Sequence, residues 1–158
     1  MTKNDLEKLI NIYGDSIFGF CCHLCGSREK AEDLYQEAFL QVIERRDRLY
    51  EIGDDPKNLE SARNYCLGAA LNAYRNARKK EGRHPETSLY DTDGGLLYEP
   101  VSSDDTEEQV IREEERKRLR QAVRRLPDRL REAVYLVYYM QLSLSETAGI
   151  LKIPQGTV

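Results

Sequence analysis

Apolar side chains recur at steps of three and four residues along the first half of the chain, the spacing of one face of an α-helix. A first helix is predicted where the stripe holds Leu6, Leu9, Ile10, Tyr13, Ile17, Phe20 and Leu24. Gly26-Ser27 should end it, and a second is predicted from Arg28 to about Arg48, with Ala31, Leu34, Tyr35, Ala38, Val42 and Ile43 inward. After a loop at Gly53-Asp54-Asp55-Pro56, a third is predicted from about Ser61 to Lys80, with Ala62, Tyr65, Cys66, Ala69, Ala73 and Ala77 inward.

The second half begins with a stretch that has no helical period and is rich in Pro, Gly and acidic residues. A fourth helix is predicted from about Glu107, with Val110, Ile111, Leu119, Ala122, Val123 and Leu126 inward. Another is predicted to begin at Pro127, with Leu130, Ala133, Val134, Val137 and Tyr138 inward. No segment alternates as a strand would. We therefore predict an all-α chain with a three-helix domain over residues 1–83, an acidic flexible linker over 84–106 and a second helical domain over 107–158.

The last sixteen residues have the pattern of a helix, a turn and the start of another helix. Ser143 and Glu146 form an S-x-x-E capping box, and Ala148, Ile150 and Leu151 supply the apolar face. Pro154 ends this helix and begins the next element. Because the second helix of a helix-turn-helix normally enters the major groove, this pattern indicates DNA as a ligand.

The net charge of −4 at first argues against a DNA-binding protein. However, eight acidic residues and no Lys or Arg lie between His84 and Glu108, so the rest of the chain carries a net +4. The sequence has neither a long apolar run nor a signal peptide. We therefore expect a cytoplasmic protein without a membrane span.

The cysteines and histidines offer little chemistry. Cys22 and Cys25 have C-x-x-C spacing, but only Cys66 and His84 remain as further ligands, so Cys21 and its neighbours are better explained as small apolar residues of a helix. Neither a G-x-x-x-x-G-K loop nor an H-E-x-x-H motif is present. We therefore expect no catalytic residue, no metal site, no cofactor and no enzymatic activity.

The second helix carries an unusual polar face. Asp33, Gln36, Glu37, Leu40 and Glu44 are three or four residues apart, so they share the side opposite the apolar stripe. Such faces are usually only solvated, but an exposed leucine among acids and an amide favours a docking surface for a basic helical partner.

The third helix ends in a basic run, Arg75, Arg78, Lys79, Lys80 and Arg83, and its other polar groups are Arg63, Asn64, Asn72, Tyr74 and Asn76. Cations beside amides and an aromatic ring favour single-stranded nucleic acid, whose phosphates bind the cations and whose bases stack or form hydrogen bonds. The alternative is that the cations only balance the helix dipole.

In this order, these segments resemble the extracytoplasmic-function sigma factors, members of the sigma-70 family. Residues Ala31–Leu40 are similar to the family's A-E-D-L-x-Q-E-x-F-L signature, Ser61–Arg83 to its minus-10 segment, and Leu126–Val158 to its minus-35 reader. The resemblance implies core RNA polymerase binding at Asp33, Gln36, Glu37 and Leu40, and minus-10 DNA binding at Ser61, Arg63, Asn64, Tyr65, Asn72, Arg75, Arg78 and Lys79. It also implies minus-35 DNA binding at Ser145, Gln155, Gly156 and Thr157, and an anti-sigma factor as a partner.

Several residues depart from the family pattern. Tyr65 replaces a usual Trp, Gly149 a usual Glu, Thr147 an apolar residue and Lys152 the turn glycine. Since the sequence ends at Val158, within the first turn of the recognition helix, we expect these residues alone not to read a minus-35 element. Two alternatives to an initiation factor are an interaction module that titrates polymerase or a sigma or anti-sigma partner, and a metal or thiol sensor using Cys22 and Cys25.

Overall fold

A computed structural model describes residues 1–45, 55–81 and 107–158, and the regular elements in these ranges are all helical. They are α1 (Lys3–Cys25), α2 (Arg28–Glu44), α3 (Pro56–Lys80), α4 (Glu107–Arg124), α5 (Asp128–Val134), a π-helical turn (Tyr135–Tyr139), α6 (Leu144–Leu151) and a 3-10 turn (Gln155–Thr157). The all-α prediction is confirmed. The predicted linker over 84–106 lies outside the described residues. Across the three described ranges, no helix is both long enough and apolar enough to span a membrane.

Helix α1 is closed at both ends by local hydrogen bonds. The Thr2 hydroxyl accepts from the Asp5 amide at 3.2 Å, and the Asp5 carboxylate accepts from the Thr2 amide at 2.7 Å. At the other end, Gly26 has a φ of 65°, the left-handed conformation that a helix C-terminus commonly needs. The Gly26-Ser27 boundary between α1 and α2 is therefore where the sequence predicted it.

Helices α1, α2 and α3 pack against one another around a single apolar core. Most of the predicted stripe is buried, including Ile17, Phe20, Ala31 and Val42. The predictions for Ile10, Ile43 and Ala77 are wrong, because these residues lie at the margins of the stripe and face solvent. Phe39, Leu59, Leu67 and Leu71 are buried although the predicted inward sets omitted them.

Helix α3 begins one and a half turns before the predicted Ser61. The Asp55 carboxylate accepts a hydrogen bond from the Lys57 amide at 2.9 Å, and Pro56 occupies the first helical position. The Asp55-Pro56 pair is thus a helix start and not part of a loop. Helix α2 ends at Glu44 instead of near Arg48.

The inward face predicted for the C-terminal helices is only partly correct, since Val123 and Ala133 are half-buried against the core. Leu119, Leu130 and Tyr138 are exposed, whereas Arg131, Glu132, Tyr135 and Leu136 are buried. The Met140 amide donates to the Tyr135 carbonyl at 2.9 Å, so the π-helical turn holds one residue more than an α-helical turn. Packing of this turn against α1 and the pairing of Glu132 with Arg75 of α3 bury a face other than the apolar one that the sequence predicted.

Helix α6 has the predicted capping box, in which the Ser143 hydroxyl accepts from the Glu146 amide at 3.2 Å and the Ser143 amide donates to Glu146 at 2.9 Å. Two of the departures from the family pattern have structural consequences here. Lys152 takes the left-handed conformation, with a φ of 57°. Thr147 is fully buried, and its hydroxyl makes no hydrogen bond within the described residues.

Candidate functional site

The polar face of α2 is exposed as predicted. Asp33, Gln36 and Glu37 face solvent around Leu40, whose exposed fraction of 54% contrasts with the neighbouring Phe39, which is buried. We call this set (Asp33, Gln36, Glu37 and Leu40) the α2 ridge. An apolar side chain surrounded by polar groups is the arrangement of a protein-binding anchor.

The α2 ridge is backed by an aromatic cluster on the buried side of the same helix. The rings of Tyr35 and Phe39 lie 4.6 Å apart, and Phe18 of α1 meets Tyr35 edge-on at 5.7 Å. This packing holds α2, and with it the ridge residues, against α1.

The predicted DNA-binding residues of α3 fall into two groups. Ser61, Tyr65 and Asn72 share one line along the helix with Gly68 and Lys79, since their spacings are four, three, four and seven residues. Ser61, Asn72 and Lys79 are exposed, and a Cβ added at Gly68 would meet no atom within 4 Å. We call this line the open strip; its member Tyr65 is half-buried and packs in part against the core, as its predicted inward position required.

The second group contacts carboxylates of the C-terminal helices, and its members are Arg63, Asn64, Arg75 and Arg78. Asn64 Nδ2 and Arg63 Nη2 each donate to Glu146 Oε1 at 2.9 Å. Arg63 also lies over the ring of Tyr13 at 5.1 Å. We call the four residues the paired side of α3.

Glu146 serves two elements at once. Its Oε2 caps α6 through Ser143, while its Oε1 accepts from α3. The hydrogen bond from the Asn64 amide, followed by that from the Ser143 backbone and then the charge of Arg63, lowers the pKa of the Glu146 carboxyl to about 2. This carboxylate therefore stays charged at any physiological pH.

Two further ion pairs continue along α3. Arg75 donates to both oxygens of Glu132, with Nε–Oε1 at 3.2 Å and Nη2–Oε2 at 2.5 Å. Arg78 Nη1 donates to Asp128 Oδ1 at 3.0 Å and to the Tyr74 hydroxyl at 3.0 Å. Tyr74, predicted as a polar group for nucleic acid, is instead buried and orients Arg78.

His23 of α1 lies among aromatic rings of the C-terminal half. Its ring stacks on Tyr135 at 4.9 Å and meets Tyr139 edge-on at 4.3 Å. Burial, followed by the charges of Arg124 and Arg120, lowers the pKa of His23 to about 4. The imidazole is therefore neutral at pH 7.

The predicted minus-35 residues lie at the C-terminal end of the chain. Ser145 is exposed in the first turn of α6, and Gln155, Gly156 and Thr157 are exposed in the 3-10 turn. These four residues are accessible for a further contact.

The four cysteines are buried and unbridged. Burial raises the pKa of Cys22, and it raises the pKa of Cys25 and of Cys66 to about 12, so these thiols stay protonated. Within the described ranges, no three His, Cys, Asp or Glu side chains are placed to hold one metal ion. These observations weigh against the sensor alternative.

The sequence therefore located the α2 ridge and the α3 residues, but not their acidic partners. Glu146 was recognisable as a cap, yet its bonds to Arg63 and Asn64 span 83 and 82 residues. Apart from their charge, nothing in the sequence around Asp128 and Glu132 indicated that they pair with α3.

Comparison with known proteins matches two families, Sigma-70 region 2 over residues 9–84 and Sigma-70 region 4 over residues 116–158. The ECF RNA polymerase sigma factor SigW of Bacillus subtilis is 30% identical over 152 residues, covering 95% of this chain and 79% of that relative. The RNA polymerase sigma-H factor of Pseudomonas aeruginosa is 23% identical over 160 residues, covering 99% of this chain and 79% of the relative. The first match contains α2 and α3, and the second contains α5 and α6.

Proposed function

Since this chain belongs to the extracytoplasmic-function sigma factors of the sigma-70 family and is a transcription initiation factor, we propose that α2 and α3 carry its two main binding surfaces. A protein of this family binds core RNA polymerase and promoter DNA.

We assign core polymerase to the α2 ridge. The observation that carries this assignment is the exposure of Leu40 within a ring formed by Asp33, Gln36 and Glu37. Removing an exposed leucine from water contributes about 1.5–3 kcal/mol when it is fully buried. The two carboxylates select a basic partner surface and orient it.

We assign the minus-10 element to α3 and the minus-35 element to the C-terminal turn. The open strip supplies Tyr65 for stacking and Ser61 and Asn72 for hydrogen bonds to unpaired bases, while Lys79 and the arginines of the paired side bind phosphates. Ser145, Gln155, Gly156 and Thr157 are assigned to minus-35 DNA. No residue is assigned a catalytic role.

The proposed setting of this activity is the cytoplasm, where core polymerase acts. The same exposed surfaces suit an anti-sigma factor, which would hold the protein inactive by covering them. The titration-module alternative is not favoured, because both sigma regions match and lie in the expected order along one chain.

The core assignment is tested by Asp33→Ala combined with Gln36→Ala. We expect core polymerase binding to be abolished in a pull-down, with the far-UV circular dichroism and thermal unfolding of the variant unchanged. The matched control is Asn11→Ala with Asp15→Ala, which removes one amide and one carboxylate, also four residues or fewer apart, from the exposed face of α1. Retained binding in the first variant, or equal loss in both, would contradict the assignment.

A further inference from the structure

Gly68 lies in the interior of α3, which continues as one α-helix from Pro56 to Lys80. Apart from proline, glycine is the least favourable residue at such a position, because it loses the most backbone freedom on folding. Two features of a fold commonly require a glycine. Either the backbone takes a left-handed conformation, or a neighbouring atom leaves no room for a Cβ.

Neither feature explains Gly68. In the part of the chain that the structure describes, Gly26 is the glycine with a positive φ. A Cβ added at Gly19 would overlap the Tyr139 hydroxyl, whereas a Cβ added at Gly68 would meet no atom within 4 Å. The fold would therefore accept alanine at position 68, and alanine is the better helix former.

The place of Gly68 in the open strip supplies a different explanation. Gly68 follows Tyr65 by three residues and precedes Asn72 by four, so the three positions succeed one another along one side of α3. Cα–Cβ bonds of a helix tilt toward its N-terminus, so the Tyr65 side chain leads away from Gly68 and the Asn72 side chain leads toward it. Between Tyr65 and Asn72, which are about 10 Å apart along the helix axis, the backbone at Gly68 is uncovered.

We propose that this gap admits one unpaired base of the promoter strand, which lies against the backbone at Gly68 and forms hydrogen bonds with the Asn72 amide. This inference rests on the proposed function of α3. Stacked bases are spaced by about 3.4 Å along a strand, so one base ring is thin enough for the gap. Asn72 is exposed, and its amide offers both a donor and an acceptor to the edge of a base. Gly68 is thus assigned as a residue that positions the base and influences which base is accepted.

Gly149 of α6 provides a matched control. It also lies in a helix interior, and a Cβ added there would likewise meet no atom within 4 Å, so openness alone does not indicate a base contact. What distinguishes Gly68 is its position between Tyr65 and Asn72. Gly68→Ala and Gly149→Ala should each raise the melting temperature by about 2–4 °C, because alanine favours a helix more than glycine does.

The binding test uses holoenzyme reconstituted from core RNA polymerase and the full 158-residue chain. The probe is a fluorescein-labelled, random-sequence single strand of about 12 nucleotides, within the range that single-strand sites cover. Anisotropy is measured at fixed salt, because affinity for the strand depends on salt, and core polymerase alone gives the baseline.

We expect the affinity to fall as the side chain at position 68 grows. Gly68→Ala should weaken binding of the strand, and Gly68→Leu should weaken it at least about fivefold, the smallest effect expected for the loss of one base contact. Gly149→Ala should bind the strand as tightly as the wild type. Loss of affinity in a Gly68→Ala variant that is more stable than the wild type cannot be attributed to unfolding.

Sequencing the bound strands adds a measurement that a purely structural role would not change. The wild-type holoenzyme should enrich particular bases over a short motif. Gly68→Ala should alter the preference at one position of that motif and leave the other positions unchanged. Gly149→Ala should retain the preference at every position.

Two results would overturn the proposal while leaving the assignment of α3 to promoter DNA intact. One is that Gly68→Ala matches Gly149→Ala in both affinity and base preference. The other is that Gly68→Ala and Gly68→Leu lose affinity equally, which would mean that α3 needs the flexibility of a glycine and not the space above it. If the wild-type holoenzyme binds the strand no better than core polymerase alone, the assignment of α3 to DNA fails, and the base contact at Gly68 fails with it.

Discussion

Arg75 and Glu132 form a bidentate ion pair across 57 residues of sequence, with the carboxylate almost completely buried and the guanidinium about one-third exposed. Because of this difference in burial, removing Glu132 and removing Arg75 have different consequences for the partner that remains. Arg75 can turn to solvent, whereas Glu132 would be left as a buried charge.

Arg75→Ala is accordingly expected to lower the free energy of unfolding by about 1–3 kcal/mol, the cost of leaving a buried acceptor unsatisfied. The measurement is urea denaturation followed by circular dichroism. The control is Arg118→Ala, since Arg118 is highly exposed and lies 3.9 Å from Glu114. The pair of Arg118 and Glu114 should contribute at most about 0.5 kcal/mol to the free energy of unfolding. If Arg75→Ala and Arg118→Ala lower that free energy equally, the burial of Glu132 is contradicted.

Thr147→Val is expected to stabilise the protein. The side chain is fully buried and its hydroxyl has no hydrogen-bond partner within the described residues, so an isosteric methyl removes a desolvation cost of about 1–3 kcal/mol. Thermal unfolding at pH 7 measures the gain. Thr147→Ser keeps the hydroxyl and removes a methyl group, so it should destabilise, and a Val variant less stable than the wild type would show that the hydroxyl is satisfied.

Lys152→Gly should also stabilise the protein, because Lys152 has a φ of 57° and a ψ of 45°. A non-glycine residue pays roughly 1–2 kcal/mol in the left-handed region, of which the greater entropy of an unfolded glycine cancels a part. Arg45 also ends a helix but has a φ of −103°, so Arg45→Gly is the control and should not stabilise. Equal denaturation midpoints for Lys152→Gly and the wild type would refute the strain at this turn.

Acidification should weaken the contact between α1 and the π-helical turn. The folded pKa of His23, about 4, lies below its ordinary value of 6.5, so the native state binds fewer protons than the unfolded state. The contribution of His23 to stability is therefore complete above about pH 6.5 and is lost as the pH falls toward about 4. The groups that face this imidazole are the cations Arg120 and Arg124 and the rings of Tyr135 and Tyr139.

Thermal unfolding between pH 7 and pH 5 measures this effect. His23→Phe keeps an aromatic ring against Tyr135 but cannot be protonated, so its melting temperature should fall less over this range. Glu146, with a pKa near 2, stays ionised throughout and loses its contribution only as the pH falls from 4.5 toward 2. A wild type and a His23→Phe variant with parallel pH profiles would contradict the burial of a neutral imidazole.

Sequence periodicity determined the three N-terminal helices and the α2 ridge. Which side of α2 is buried depends on Ala31, Leu34, Ala38 and Val42, residues three or four apart on one helix, so a local pattern contained the answer. The capping box of Ser143 and Glu146 was equally local. The predicted helix starts were less accurate, since Asp-Pro is a sequence typical both of a loop and of a helix N-terminus, as at Asp55 and Pro56.

Tertiary structure alone decided which face of α5 and the following turn is buried. The exposed Leu130 and the buried Glu132 reverse the expectation from hydrophobicity, because Arg75 of α3 supplies a partner for the Glu132 carboxylate. The second role of Glu146 also depends on residues more than eighty positions away. Such pairings leave no trace in local periodicity, since they arise only when separate helices are packed and their charges must be satisfied.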